Sequence, residues 1–107
     1  GEQTAFKIND QTLRVDFVQH RAWCDDEELA LSQREALALE RLAKAPNQIV
    51  CTVELVSITH GINTDNIEAG RLLRPLIRDL RNKIKREFGD TECVQNVRGR
   101  GYMLALV

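Results

Sequence analysis

A chain of 107 residues has room for one hydrophobic core rather than two. With 43% hydrophobic and 29% charged residues it suits an ordinary folded domain, and no apolar run approaches the roughly 18 residues that a spanning helix needs. The formal net charge of −1 speaks at first against a polyanionic partner, but it averages two unlike parts. Residues 1–70 carry six basic and twelve acidic side chains, whereas residues 71–100 carry nine basic and four acidic ones. A one-sided basic footprint is what phosphate-backbone binding requires.

The start, Gly1-Glu2-Gln3, lacks the basic-then-apolar order of a signal peptide, and a chain opening on Gly1 is expected to be a fragment of a longer protein. The three cysteines, Cys24, Cys51 and Cys93, are odd in number and widely spaced. They predict small buried hydrophobes in a reducing compartment rather than a disulfide framework.

The first thirty residues read as strands. Phe6-Lys7-Ile8 alternates, Asn9-Asp10 supplies a turn, and Leu13, Val15 and Phe17 repeat at period two. Ala22-Trp23-Cys24 continues the sheet, and Asp25-Asp26-Glu27-Glu28 forms a polar turn before Leu29. At Ser32-Gln33-Arg34-Glu35 the pattern changes to a capping box, followed by a helix that Pro46-Asn47 stops. Thr52 to Ile58 predicts a second, short helix ended near Gly61. Thr59 to Gly70 then reads as a long connection, to which Asn66–Ala69 adds at most one helical turn.

The stretch 71–88 carries two stripes. Leu73, Leu76, Ile77, Leu80, Ile84 and Phe88 share one helical face, while Arg71, Arg74, Arg78, Arg81 and Lys85 form a second beside it. Pro75 would cost about 3 kcal/mol inside a helix but nothing comparable in its first turn. The regular helix is therefore expected to begin at Arg71 or later. Gly89 is placed to end it. The chain closes with a hairpin whose arms are Cys93–Val97 and Tyr102–Leu106 and whose tip is Arg98-Gly99-Arg100-Gly101.

A cationic stripe is often just a solvated helix face, but such faces usually alternate sign, and this one holds almost no acid. An α-helix fits the major groove of B-DNA, where arginine binds guanine bidentately or bridges phosphates. A basic hairpin directly after it can reach the neighbouring minor groove. His20 and His60 are the only histidines, and the nearest approach to a metal spacing is His20-x-x-x-Cys24. No metal site, cofactor or catalytic constellation is expected, and no enzymatic activity.

In this order of elements the chain resembles the OmpR/PhoB family of winged-helix output domains. Leu31-Ser32-Gln33-Arg34-Glu35 is similar to the family's Leu-Thr/Ser-x-x-Glu helix entry. Arg71 to Ile84 is similar to its recognition helix, with the usual Ile-Arg-Arg-Leu-Arg-x-Lys-Leu core, and Val94 to Tyr102 to its Val/Ile-x-Thr-Val-Arg-Gly-x-Gly-Tyr wing. The resemblance implies an α+β winged helix-turn-helix with an N-terminal antiparallel sheet, three helices and a C-terminal wing, spanning 1–107 as one domain. It further implies sequence-specific double-stranded DNA binding and transcription control in a bacterial cytoplasm. An upstream receiver domain would control dimerisation by phosphorylation, and the loop 59–70 would contact RNA polymerase. The alternative is a winged helix that binds proteins without reading DNA.

Arg74, Arg78 and Asp79 are then the candidates for base-edge contacts, Arg71 and Arg81 for phosphates, and Arg98 and Arg100 for the wing. Four departures matter. Cys51 replaces the serine that often caps the second helix, leaving Thr52 to cap, and His60 replaces a tryptophan near the DNA backbone. Asp79 replaces the second arginine of the recognition core, where it would either read a cytosine amino group or repel phosphates. Pro75 is the fourth, so the target sequence is expected to be this protein's own.

Overall fold

The computed structural model describes residues 2–106, and it begins with a four-stranded antiparallel meander. Its strands are β1 (Gln3–Ile8), β2 (Gln11–Asp16), β3 (Arg21–Cys24) and β4 (Glu27–Glu28). Asn9 and Asp10 both take positive φ, +50° and +67°, as a two-residue hairpin loop demands. The registers Phe6↔Leu13 and Leu13↔Cys24 keep one set of side chains inward, where Leu13, Val15, Ala22 and Cys24 are buried. On the outer face Arg14 stacks 4.0 Å from the centre of the Trp23 ring. Two details differ from the sequence reading. Glu27 and Glu28 pair with β3 instead of turning, and Phe17 lies in the turn after β2, where its N–H still bonds the Glu2 carbonyl at 2.8 Å.

Helix α1 (Gln33–Ala43) starts on the expected capping box, with Glu35 N–H on Ser32 Oγ at 3.2 Å and Ser32 N–H on Glu35 Oε1 at 2.7 Å. Helix α2 (Thr52–His60) follows Cys51, which is the N-cap residue but contributes no side-chain bond. Thr52 is thus the first helical residue rather than the cap. Gly61 ends α2 at φ +69°, the left-handed conformation that favours glycine.

Helix α3 (Asn66–Phe88) corrects the expected helix start. Asp65 caps it, its side chain accepting from Glu68 N–H at 2.8 Å, so Pro75 lies well inside and not in the first turn. The connection expected over 59–70 shrinks to residues 61–65. The proline is tolerated because it sits on the exposed side, where water can satisfy the carbonyl it leaves without a donor, while Ala69, Leu73 and Ile77 pack inward on the same stretch. Leu39, Leu42, Leu55, Leu73, Leu80 and Leu104, all fully buried, join the three helices and the C-terminal strands in one core.

The chain ends in β5 (Val94–Val97) and β6 (Gly101–Leu104), paired antiparallel. Val50 bridges to β6 by two backbone bonds with Tyr102, of 2.8 and 3.0 Å. Of the cysteines, Cys24 and Cys93 are buried as expected, and burial pushes both thiols up. Cys51 is exposed, contrary to expectation, because an N-cap position leaves its side chain outside the helix. Among the described residues no helix is long and apolar enough to cross a membrane.

Candidate nucleic-acid interface

The apolar stripe of α3 faces α1 and α2, which turns the adjoining side of the helix outward. Arg71, Arg74, Pro75, Arg78, Asp79, Asn82 and Lys85 are all exposed, and the Arg78 side chain keeps 69% of its free surface. Two of these cations have acidic neighbours on the helix itself. Arg71 lies 3.1 Å from Glu68, and Arg78 Nε lies 3.4 Å from Asp79 Oδ1. Both pairs are exposed, so water and salt weaken them and leave the guanidiniums available to a polyanion.

Two interactions fix the orientation of this face. Lys83 reaches back from α3 to Glu35 of α1 at 2.6 Å, and the same carboxylate oxygen closes the capping box. Arg41 of α1 in turn meets Glu54 of α2 at 2.6 Å. The recognition face is therefore braced by the element whose start was legible as Ser32-x-x-Glu35.

Arg98 and Arg100 stand exposed at the tip of the β5–β6 hairpin. Arg100 N–H bonds the Val97 carbonyl at 2.9 Å, and Gly99 takes φ +77°, as the third position of a type II turn requires. Gly101 serves a different purpose. A Cβ there would lie 2.0 Å from the Val50 carbonyl oxygen, so only glycine lets β6 approach Val50 closely enough to pair.

A polar cleft separates helix and wing, lined by Thr52, Asn66, Arg74, Arg98, Arg100 and Tyr102. Arg74 folds toward it over Gly70, whose Cβ position lies 3.7 Å from Arg74 Nη1. Burial pushes the Tyr102 hydroxyl up, although nearby Arg81 and Arg74 act the other way, so it stays a neutral donor. The structure thus brings Arg74 beside Arg98 and Arg100, and leaves Arg71, Arg78 and Asp79 on the open helix face. Arg81 is set apart. It is half-buried where α3 meets β5, and its Nε donates to the Val94 carbonyl at 2.8 Å.

Thr52, Asn66 and Tyr102 were not among the residues picked from the sequence. In the sequence Asn66 falls at the end of a connection, Thr52 reads as a helix cap and Tyr102 as the close of the wing motif, and no local signal shows that the fold gathers the three around one cleft. His60 bonds Thr59 Oγ1 through Nδ1 at 2.7 Å, and the Thr59 hydroxyl donates its own hydrogen bond to the Leu55 carbonyl at 2.8 Å. His60 Nδ1 is then the donor. Burial, helped by Arg34, holds this histidine below its usual pKa. Neutral in this tautomer, its Nε2 is an acceptor and offers a phosphate no proton.

Comparison with known proteins agrees with this geometry. Residues 26–104 match the family described as transcriptional regulatory protein, C terminal. The chain is 34% identical over 92 residues to the transcriptional regulatory protein TcrA of Mycobacterium tuberculosis, a match covering 86% of this chain and 35% of that protein. It therefore spans about a third of the length of the curated relatives it matches. Among solved structures, the RstA DNA-binding domain of Klebsiella pneumoniae, in complex with the RstA box, superposes with a TM-score of 0.79 at 25% identity, covering 98% of each chain. The DNA-binding domain of CpxR from E. coli superposes equally well, with a TM-score of 0.79 at 21% identity over 96% of this chain and 97% of that one, a likeness of fold. The chain belongs to the family of C-terminal domains of transcriptional regulatory proteins, and its fold is their winged helix.

Proposed function

We propose that this chain is a DNA-binding output domain that controls transcription by reading a specific duplex sequence. The observation that carries the reading is the pairing of an exposed cationic face on α3 with a wing whose Arg98 and Arg100 share a cleft with Arg74. The helix enters the major groove and the wing reaches the adjacent minor groove. The RstA structure, which was solved on its DNA box, supports the same use of the same fold. In this reading Arg74, Arg78 and Asp79 face base edges, Arg71 meets phosphate, and Arg98 and Arg100 serve the wing. The domain catalyses no reaction.

The length of the relatives supports a larger protein in which this domain is the C-terminal part. A receiver domain upstream, phosphorylation-controlled dimerisation on direct repeats and a bacterial cytoplasmic location complete the proposal. A contact with RNA polymerase through residues 61–65 accompanies DNA binding. Ile62 within that turn and Ile67 just after it, exposed to 45% and 76%, give a protein partner an apolar foothold. Selection of bound duplexes from a random pool tests the reading: an enriched motif, repeated directly, is expected. A pool that stays random through the selection contradicts specific readout.

A further inference from the structure

Arg81 belongs to the same stripe as Arg71, Arg74 and Arg78, yet it is placed differently. Those three are exposed, while Arg81 is half-buried and its Nε–H points at a backbone carbonyl, Val94 O, 2.8 Å away. The strand pairing shows why that carbonyl is available. On β6, Tyr102 bonds Val50 on one side, so Gly101 and Met103 turn their backbone groups toward β5 on the other. Ala105 N–H likewise bonds the Cys93 carbonyl at 2.6 Å. In an antiparallel pair the bonded residues alternate, so Val94, opposite Leu104, directs its own carbonyl away from β6, off the free edge of β5.

The wing is therefore held along two edges. Backbone bonds between Tyr102 and Val50 anchor the β6 edge, and the Arg81–Val94 bond anchors the β5 edge. Val94 and Cys93 are buried in the core at the root of β5, and the Arg81 bond adds a directional restraint to that packing, resisting rotation of the hairpin about β6. From Val94 to Arg98 is four residues of strand, a lever of roughly 13 Å, so a small rotation at the joint displaces the arginine tip by several ångströms.

We propose that Arg81 is a positioning residue: through Val94 it fixes the offset between the recognition helix and the wing, and its share of DNA affinity is realised at Arg98 and Arg100. The proposal rests on the DNA-binding reading, but it assigns Arg81 a role other than a phosphate contact of its own. The guanidinium is not required for this role, only a donor at the Nε position. A glutamine side chain places its amide nitrogen at that point of the chain without a charge.

The test combines Arg81→Ala, Arg81→Gln and Arg98→Ala in fluorescence anisotropy titrations with a mixed-sequence duplex at low salt, and amide hydrogen exchange on the free proteins. R81A is expected to lose about as much affinity as R98A, and the R81A/R98A double variant to bind no more weakly than the weaker single one. R81Q is expected to stay within about twofold of the unsubstituted protein. Exchange across 94–104 should speed up in R81A and not in R81Q. Multiplying losses in the double variant, or an R81Q as weak as R81A, would show a charge contact with DNA and overturn the proposal. Failure of the unsubstituted protein to bind the duplex would overturn the DNA-binding reading itself. The exchange comparison separates the two failures, because it reads the joint without DNA.

Discussion

Lys83 and Glu35 meet at 2.6 Å across the interface of α3 and α1, with the carboxylate 5% exposed and the lysine only partly so. One oxygen, Glu35 Oε1, accepts from both the Lys83 ammonium and the Ser32 backbone N–H. The start of α1 and the rotation of α3 are thus settled by a single side chain. Removing the lysine leaves a buried carboxylate with one donor fewer. Lys83→Met is expected to lower stability by about 1–3 kcal/mol in urea denaturation. An unchanged midpoint would mean that the pair contributes nothing net.

Gly101 gives a sharper structural prediction. A Cβ there meets only backbone, at 2.0 Å from Val50 O and 2.9 Å from Cys51 Cα, so no side chain can move aside. Gly101, at φ +150°, adds this clash to the positive-φ strain, so Gly101→Ala is expected to cost about 3–5 kcal/mol and to detach β6 from Val50, which amide exchange at Tyr102 would report. Gly99→Ala meets nothing within 4 Å and carries only the positive-φ penalty of about 1–2 kcal/mol. Equal effects at the two glycines would refute the close-approach argument.

The stability of the sheet should depend on pH through Asp16. Its carboxylate accepts from the backbone N–H groups of Gln19 and Val18, both at 2.9 Å, and from Gln3 Nε2 at 3.0 Å. The Gln19 bond is the largest cause of a pKa held below the usual carboxylate range. A depressed pKa means that the contribution is complete above the unfolded value of about 3.9 and is lost as pH falls through the lower, folded one. Asp16→Asn should therefore be less stable than the unsubstituted protein near neutral pH, with the gap closing in acid. Parallel stability curves for the two proteins down to low pH would contradict this.

For the wing, Arg98→Ala should weaken DNA binding while circular dichroism and the melting temperature stay unchanged. Arg98 is exposed at the tip of a turn whose closing bond runs between Arg100 N–H and the Val97 carbonyl, so the fold does not depend on its side chain. Unfolding of this variant would make Arg98 a structural residue.

Much of this was legible in the sequence because the relevant signals are local. Ser32-x-x-Glu35 satisfies its own helix start, Gly61 and Gly99 announce positive φ, and the alternation of Leu13 and Val15 fixes which face of β2 is buried. The reading failed where tertiary packing overrode a local rule. Pro75 argued for a late helix start, but Asp65 caps α3 earlier and the burial of Ala69 and Leu73 holds the extra turns. Arg81 shows a different limit. Helical spacing put it in the cationic stripe correctly, and nothing local could show that Val94 O waits beside it. Charge polarity pointed to the interface, and only the fold divided the arginines between an open face, a cleft and a joint.

The central claim, that the exposed face of α3 and the wing bind DNA through their cations, is tested most directly by affinity as a function of salt. Anisotropy titrations with a duplex would be run for the unsubstituted protein and for Arg71→Ala. The unsubstituted protein should bind with log affinity falling linearly against log salt, and R71A, lacking a phosphate contact, should bind more weakly with a slope flatter by about 0.9. Identical affinities and slopes for the two proteins, or no binding by either at low salt, would contradict the account.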